Sequence, residues 1–71
     1  MQESQITGEF IKLNQWLKKE DLAATGGEAK FLIEEGRVQV NGQVASEIRK
    51  KLYDGDVVNV DGESYRIQVV S

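Results

Sequence analysis

Thr25, Gly26, Gly27, Glu28 and Lys30, together with the run Arg49-Lys50-Lys51, are the residues whose types and spacing could do chemistry in this chain. That chemistry is anion binding rather than bond-making. Thr25 and Glu28 stand three apart, as in a capping box, where the hydroxyl accepts from the third helical N–H and the glutamate reaches back. A helix start carries backbone N–H groups without intrahelical partners and a partial positive charge, which suits a phosphate. The two glycines leave that backbone bare, and Lys30 adds a cation one turn in. The plainer reading stands beside it: a capped helix whose Gly26-Gly27 pair permits tight packing against a neighbouring helix.

The other cations divide in the same way. Lys12, Gln15 and Lys19 share one stripe of a first helix, and Lys18 lies beside Asn14 on another flank; such charges ordinarily form a solvated face. Lys30 is spaced to pair with Glu34. Arg49-Lys50-Lys51, in a loop, could track a phosphate backbone without reading bases, or simply keep an acidic chain in solution. Phe31 projects away from the Ala29–Leu32–Ile33 face and is expected to pack under a neighbouring segment rather than stack on a base. Trp16 is expected in the core.

The elements that would position these residues follow from periodicity and turn chemistry. Phe10, Leu13, Trp16 and Leu17 form a helical stripe, giving a first helix over about 13–21 that closes at Leu22 and Ala23. The second helix runs from Thr25 to Gly36, a left-handed C-terminal glycine. Val38, Val40 and Val44 around Asn41-Gly42 predict a hairpin. Val57, Val58 and Val60, then Asp61-Gly62, then Tyr65, Ile67, Val69 and Val70, predict another. Residues 45–55 read as a polar loop anchored by Ile48, Leu52 and Tyr53. Residues 1–9 read as a terminal extension or short edge strand, and 10–71 as one domain. The expected fold class is α+β: two packed helices followed by a small antiparallel sheet.

Composition narrows the function. The 71 residues include no Cys and no His, which removes disulfides, zinc–thiolate sites and the commonest general base. No serine has a histidine partner, and no G-x-x-x-x-G-K-[ST] loop is present; no enzyme, metal site or cofactor is expected. No apolar run approaches membrane-spanning length, and a cytoplasmic, monomeric protein is the expectation. The net charge is −3, unlike an indiscriminate nucleic-acid binder. Yet eight of the nine lysines and arginines fall between Lys12 and Lys51, while Asp54, Asp56, Asp61 and Glu63 crowd the last third.

The stretch from Gly27 to Gly42, with Ala29, Leu32, Ile33, Gly36, Val38, Val40, Asn41 and Gly42, resembles the S4 RNA-binding domain. Gly55-Asp56 with Val57 and Val58 supply that family's later G-D-x-V element, and Lys12-Leu13 sits where it often has Arg-Leu. The similarity covers about Lys12 to Val60 and looks like the small free-standing bacterial S4-domain proteins of the YaaA/YbcJ type. It implies the alpha-L fold and a partner in structured RNA, ribosomal RNA or the ribosome, met by Lys12, Lys19, Thr25, Gly26, Gly27, Lys30, Arg37, Arg49, Lys50 and Lys51. Many S4 domains place arginine directly after the helix cap; here Gly26 and Gly27 remove that side-chain clamp.

Three other classes stand beside this one. A protein-interaction adaptor would use the acidic last third. A DNA-binding helix-turn-helix would need a recognition helix richer in cations than one bearing Glu28, Glu34 and Glu35. A β-grasp sulfur carrier would end in Gly-Gly, whereas this chain ends Val69-Val70-Ser71.

Overall fold

Residues 1–70, described by a computed structural model, fold in the order β1 (Gln2–Ile6), β2 (Phe10–Lys12), α1 (Leu13–Lys19), α2 (Gly26–Glu34), β3 (Val38–Val40), β4 (Gln43–Val44), β5 (Lys51–Tyr53), β6 (Val57–Val60) and β7 (Glu63–Val69). Both predicted tight turns are present. Asn41 and Gly42 have φ of 52° and 84°, Asp61 and Gly62 have 51° and 89°, and each pair closes a two-residue hairpin, the left-handed geometry these residue types favour. The strands β1-β7-β6-β3-β4 form one sheet in that order.

The α+β layering holds, but the sheet is mixed. β1 lies at its edge and runs parallel to β7, with Gln2 opposite Tyr65 and Ile6 opposite Val69. Nearly the whole chain separates these two strands, so no tight turn forces them antiparallel. Ser4 and Ile6 of β1 point into the core.

A second departure concerns residues 45–55. Rather than a plain loop, this segment contains β5, which pairs antiparallel with β2. Phe10 therefore belongs to a strand and not to the first turn of a helical stripe. The reason is local. The N–H groups of Leu13 and Asn14, at the start of α1, donate to the carbonyls of Lys50 (2.8 Å) and Ile48 (3.0 Å), and Lys12 before them is extended. That aligns the chain entering α1 against the chain leaving Ile48. Of the expected anchors, Leu52 is fully buried and Ile48 packs on the core, while Tyr53 is 48% exposed. Its ring has turned outward.

The core joins Leu13, Trp16 and Leu17 of α1 and Ala29, Leu32 and Ile33 of α2 to Val38, Val40, Val58, Val60, Tyr65 and Ile67 of the sheet. α1 stops at Lys19, and Asp21 takes a left-handed φ of 61° while Leu22 N–H donates back to Leu17 O (2.9 Å). This is a Schellman-type closure on an aspartate instead of a glycine. Trp16 meets Tyr65 edge-on at 5.2 Å, and its indole N–H donates to Ser4 Oγ (2.9 Å), whose hydroxyl donates to Glu20 Oε2 (2.9 Å). Ser4 thus fastens β1 to α1 from inside the core. Replacing Ser4 by Ala leaves the buried indole N–H without an acceptor, and should cost about 1–3 kcal/mol in denaturant unfolding; an unchanged midpoint would show that the hydroxyl is dispensable.

Candidate nucleic-acid interface

The docking of 48–50 onto α1 also determines where the cations go. Lys12 ends β2 directly opposite Lys51 of β5, and Arg49 and Lys50 lie in the segment whose carbonyls satisfy the first N–H groups of α1. The backbones of Lys12, Arg49, Lys50 and Lys51 therefore come together; Lys12 and Lys51 share one face of the ribbon, while Lys50 borders a small groove with Gln43, Ser46 and Glu47. Among the described residues the ion pairs are Lys19–Glu20 and Arg37–Asp61, so none of the four is neutralised by a carboxylate. Lys51 instead places its Nζ 4.7 Å from the centre of the Phe10 ring.

The start of α2 is built partly as expected. Thr25 is extended and its Oγ1 accepts from Glu28 N–H at 3.1 Å. Glu28 makes no return bond among the described residues; its side chain lines a groove instead. Tight packing does not explain the two glycines. A Cβ on Gly26 would meet nothing within 4 Å, and one on Gly27 only Thr25 Oγ1 at 3.9 Å. Thr25, Gly26, Gly27 and Lys30 are all exposed, and Lys30 forms no ion pair with Glu34. α1 lies between this patch and the corner: Lys12 stands immediately before its first residue, and α2 begins after its last.

Two of the cations chosen from the sequence are committed elsewhere. Lys19 lies 3.2 Å from Glu20, the carboxylate that also holds Ser4. Arg37 follows the far end of α2, about 15 Å of helical rise from its start. There it grips Asp61 in bidentate fashion, Nε at 2.9 Å and Nη2 at 2.7 Å. The pair bridges the exit of α2 to the β6–β7 turn. Its hydrogen bonds hold the Asp61 carboxyl below the ordinary carboxylate value and raise the guanidinium.

Some residues were missed in the sequence. Phe10 and Tyr53 flank the lysines on the same ribbon, with ring centres 5.9 Å apart; the only signal was the pair of short patterns Phe-x-Lys and Lys-x-Tyr. Phe31 is 53% exposed, contrary to the packing expected for it, although Glu63 and Tyr65 of β7 line the same groove. It stands over a groove lined by Leu22, Leu32, Val60 and Tyr65 and edged by Glu28 and Glu63. Asn41 and Asp56 prove to be structural. Asn41 Nδ2 donates to Asp56 Oδ1 (3.1 Å), Val57 N–H to Asn41 Oδ1 (2.9 Å), and Tyr53 N–H to Asp56 Oδ2 (2.8 Å). The β3–β4 turn is thereby tied to the end of β5.

Two substitutions test this layout. Gly27→Ala has room for its methyl and should stabilise the fold by about 0.4–1 kcal/mol through the unfolded chain; a fall in thermal midpoint would reveal a hidden clash. Because the folded-state pKa of Asp61 is lowered, its contribution is complete above the ordinary value of 3.8 and is lost as pH falls through the lower folded value. Asp61→Asn should therefore flatten the acid side of the thermal-midpoint profile below that pH. An equally steep profile in the variant would show that Arg37 gains nothing from the charge.

Comparison with known proteins matches this geometry to one family. The S4 domain profile covers residues 4–68. RlbA of Bacillus subtilis, named a probable ribosome maturation protein, is 42% identical over 57 residues, 80% of each chain. YbcJ of Escherichia coli is 38% identical over 61 residues, 86% of this chain and 84% of that one. The solution structure of YbcJ, described as revealing an alfaL motif involved in RNA-binding, superposes with a TM-score of 0.70 at 30% identity, covering 96% of this chain and 87% of the other. An uncharacterized RNA pseudouridine synthase of Aquifex aeolicus is 38% identical over 56 residues, but these make up 23% of that protein. With both helices, the N-G turn and the G-D turn inside the matched span, the chain belongs to the S4 domain family.

Proposed function

We propose that this protein is a non-catalytic RNA-binding protein. It docks on structured RNA of the ribosome through a basic corner formed by α1, the start of α2 and residues 49–51. The observation that carries this reading is the convergence of Lys12, Arg49, Lys50 and Lys51 at one place, free of carboxylate partners, in a chain of net charge −3. The bare N–H groups at Gly26 and Gly27 extend the anion-binding surface along α2. Such a surface contacts phosphates and 2′-hydroxyls, so shape outweighs sequence in what it recognises. RlbA is named for ribosome maturation, which supports a ribosomal partner and a role in assembly; YbcJ is described with an RNA-binding motif, which supports RNA as the ligand. Among the described residues no helix is long and apolar enough to cross a membrane. Cytoplasmic location and a monomeric state belong to the proposal.

Each neutralised phosphate steepens the salt dependence by roughly 0.7–0.9 in log K per log unit of salt. Reversing Lys12, Arg49, Lys50 and Lys51 to Glu should therefore reduce the slope for a ribosomal RNA fragment by about 3, with affinity falling in parallel and the circular dichroism spectrum unchanged. Equal affinity and slope in parent and variant would move the interface off this corner.

A second reading, a protein-interaction adaptor, is favoured by one observation: exposed Phe31 beside a groove of mixed lining, in which Leu22, Leu32, Val60 and Tyr65 lie among Glu28, Glu63 and the Arg37–Asp61 pair. Protein partners that persist after ribonuclease treatment and are lost on Phe31→Ala would support it.

A further inference from the structure

The β2–β5 ribbon has two faces, and they are unlike. In its register Phe10 faces Tyr53, Ile11 faces Leu52, and Lys12 faces Lys51. Side chains alternate along a strand, and directly opposed residues share a face. Ile11 and Leu52 accordingly turn inward, Leu52 fully buried and Ile11 packed on the core. Phe10, Lys12, Lys51 and Tyr53 occupy the outer face: two aromatic rings and two cations on one small, rigid surface.

We infer that this outer face is a stacking platform for an unpaired RNA base, with the Tyr53 ring as the surface that receives it and Lys12 and Lys51 holding the flanking phosphates. The inference rests on the RNA-binding reading above and adds to it what kind of RNA the corner selects. Phe10 is partly covered, since Lys51 Nζ lies over its ring at 4.7 Å and Tyr53 tilts against it at 50°. Tyr53 remains the open ring, 48% exposed. It is also held in place before any ligand arrives. Its N–H donates to Asp56 Oδ2 (2.8 Å), and its strand is clamped between β2 and the 54–57 turn.

The nearby carboxylates do not occupy the platform. Asp54 Oδ1 accepts from Val69 N–H at 2.8 Å, and both oxygens of Asp56 are taken by Asn41 Nδ2 and Tyr53 N–H. Glu9 is exposed just before Phe10, at the end of the ribbon away from Lys12 and Lys51. A cationic track beside an open aromatic ring is the combination that binds unstacked nucleotides, because every base offers a π-face. A fully paired helix offers none. The protein should therefore prefer a helix interrupted by a loop or bulge to an unbroken one.

The test uses fluorescence anisotropy with two labelled RNAs of equal length: a hairpin closed by an adenine loop, and an unbroken duplex. The parent protein should bind the hairpin more tightly. Tyr53→Ala should weaken hairpin binding between about fivefold and about 150-fold and leave duplex binding unchanged, while Tyr53→Phe, which keeps the ring, should behave as the parent. Tyr53→Leu preserves apolar packing on Phe10 without a π-face; it should lose the hairpin preference with an unchanged thermal midpoint, and it decides the matter if the alanine variant unfolds. Equal losses for hairpin and duplex, or no loss for either, would overturn the platform while leaving the basic corner standing. Failure of the parent to bind either RNA would overturn both readings.

Discussion

Two hydrogen bonds organise this molecule: Leu13 N–H to Lys50 O and Asn14 N–H to Ile48 O. The opening turn of any α-helix has donors that the helix itself cannot satisfy. α1 has no side-chain cap at Lys12, and a distant stretch of chain supplies the acceptors. That choice brings residues 48–53 alongside 10–12, creates the β2–β5 ribbon, and delivers three consecutive cations to the place where Lys12 already sits. It also uses up the anion-binding capacity of α1's own N-terminus. Positive charge there comes from side chains, whereas at α2, where Thr25 satisfies one donor, the backbone remains available.

The acidic last third of the chain has a complementary role. Asp54 accepts from Val69 N–H, Asp56 from Asn41 and from Tyr53 N–H, and Asp61 from Arg37. Three carboxylates that looked in the sequence like a surface of opposite sign act chiefly as acceptors that fasten turns to strands. The effect is to hold negative charge at the turns while the corner stays cationic. Segregation of charge in so small a domain thus follows from hydrogen bonding as much as from placement.

What could be read from the sequence was whatever depends on local chemistry. The Thr25 cap, the left-handed Gly36, and the Asn41-Gly42 and Asp61-Gly62 turns all depend on residues close in sequence, and all appear where expected. The ribbon did not announce itself. Its strands are three residues each and lie about forty positions apart, too short for alternation to register against the helical spacing of Phe10, Leu13 and Leu17. The direction of β1 was likewise invisible, since parallel pairing between chain ends leaves no turn signature. At the candidate site, the run 49–51 is plain in the sequence, but its place beside Lys12 depends on the β2–β5 pairing. Arg37 was grouped with them although Asp61 claims it, because the distance between the two ends of α2 is not evident from a list of cations. Phe31 and Tyr53 were expected inside because aromatic residues usually are; the burial of a single ring depends on what covers it, which only the tertiary arrangement decides.

The pairing of β1 with β7 carries a consequence for synthesis. Gln2 finds its partner at Tyr65 and Ile6 at Val69, so β1 must wait for β7. Until then the emerging polypeptide has Ile6 and the Ser4 hydroxyl without the sheet that encloses them, although both helices and the β3–β4 hairpin can already form. Contacts of such long span are slow to close. Completion of the sheet is thereby delayed until β7 has been made and has reached β1.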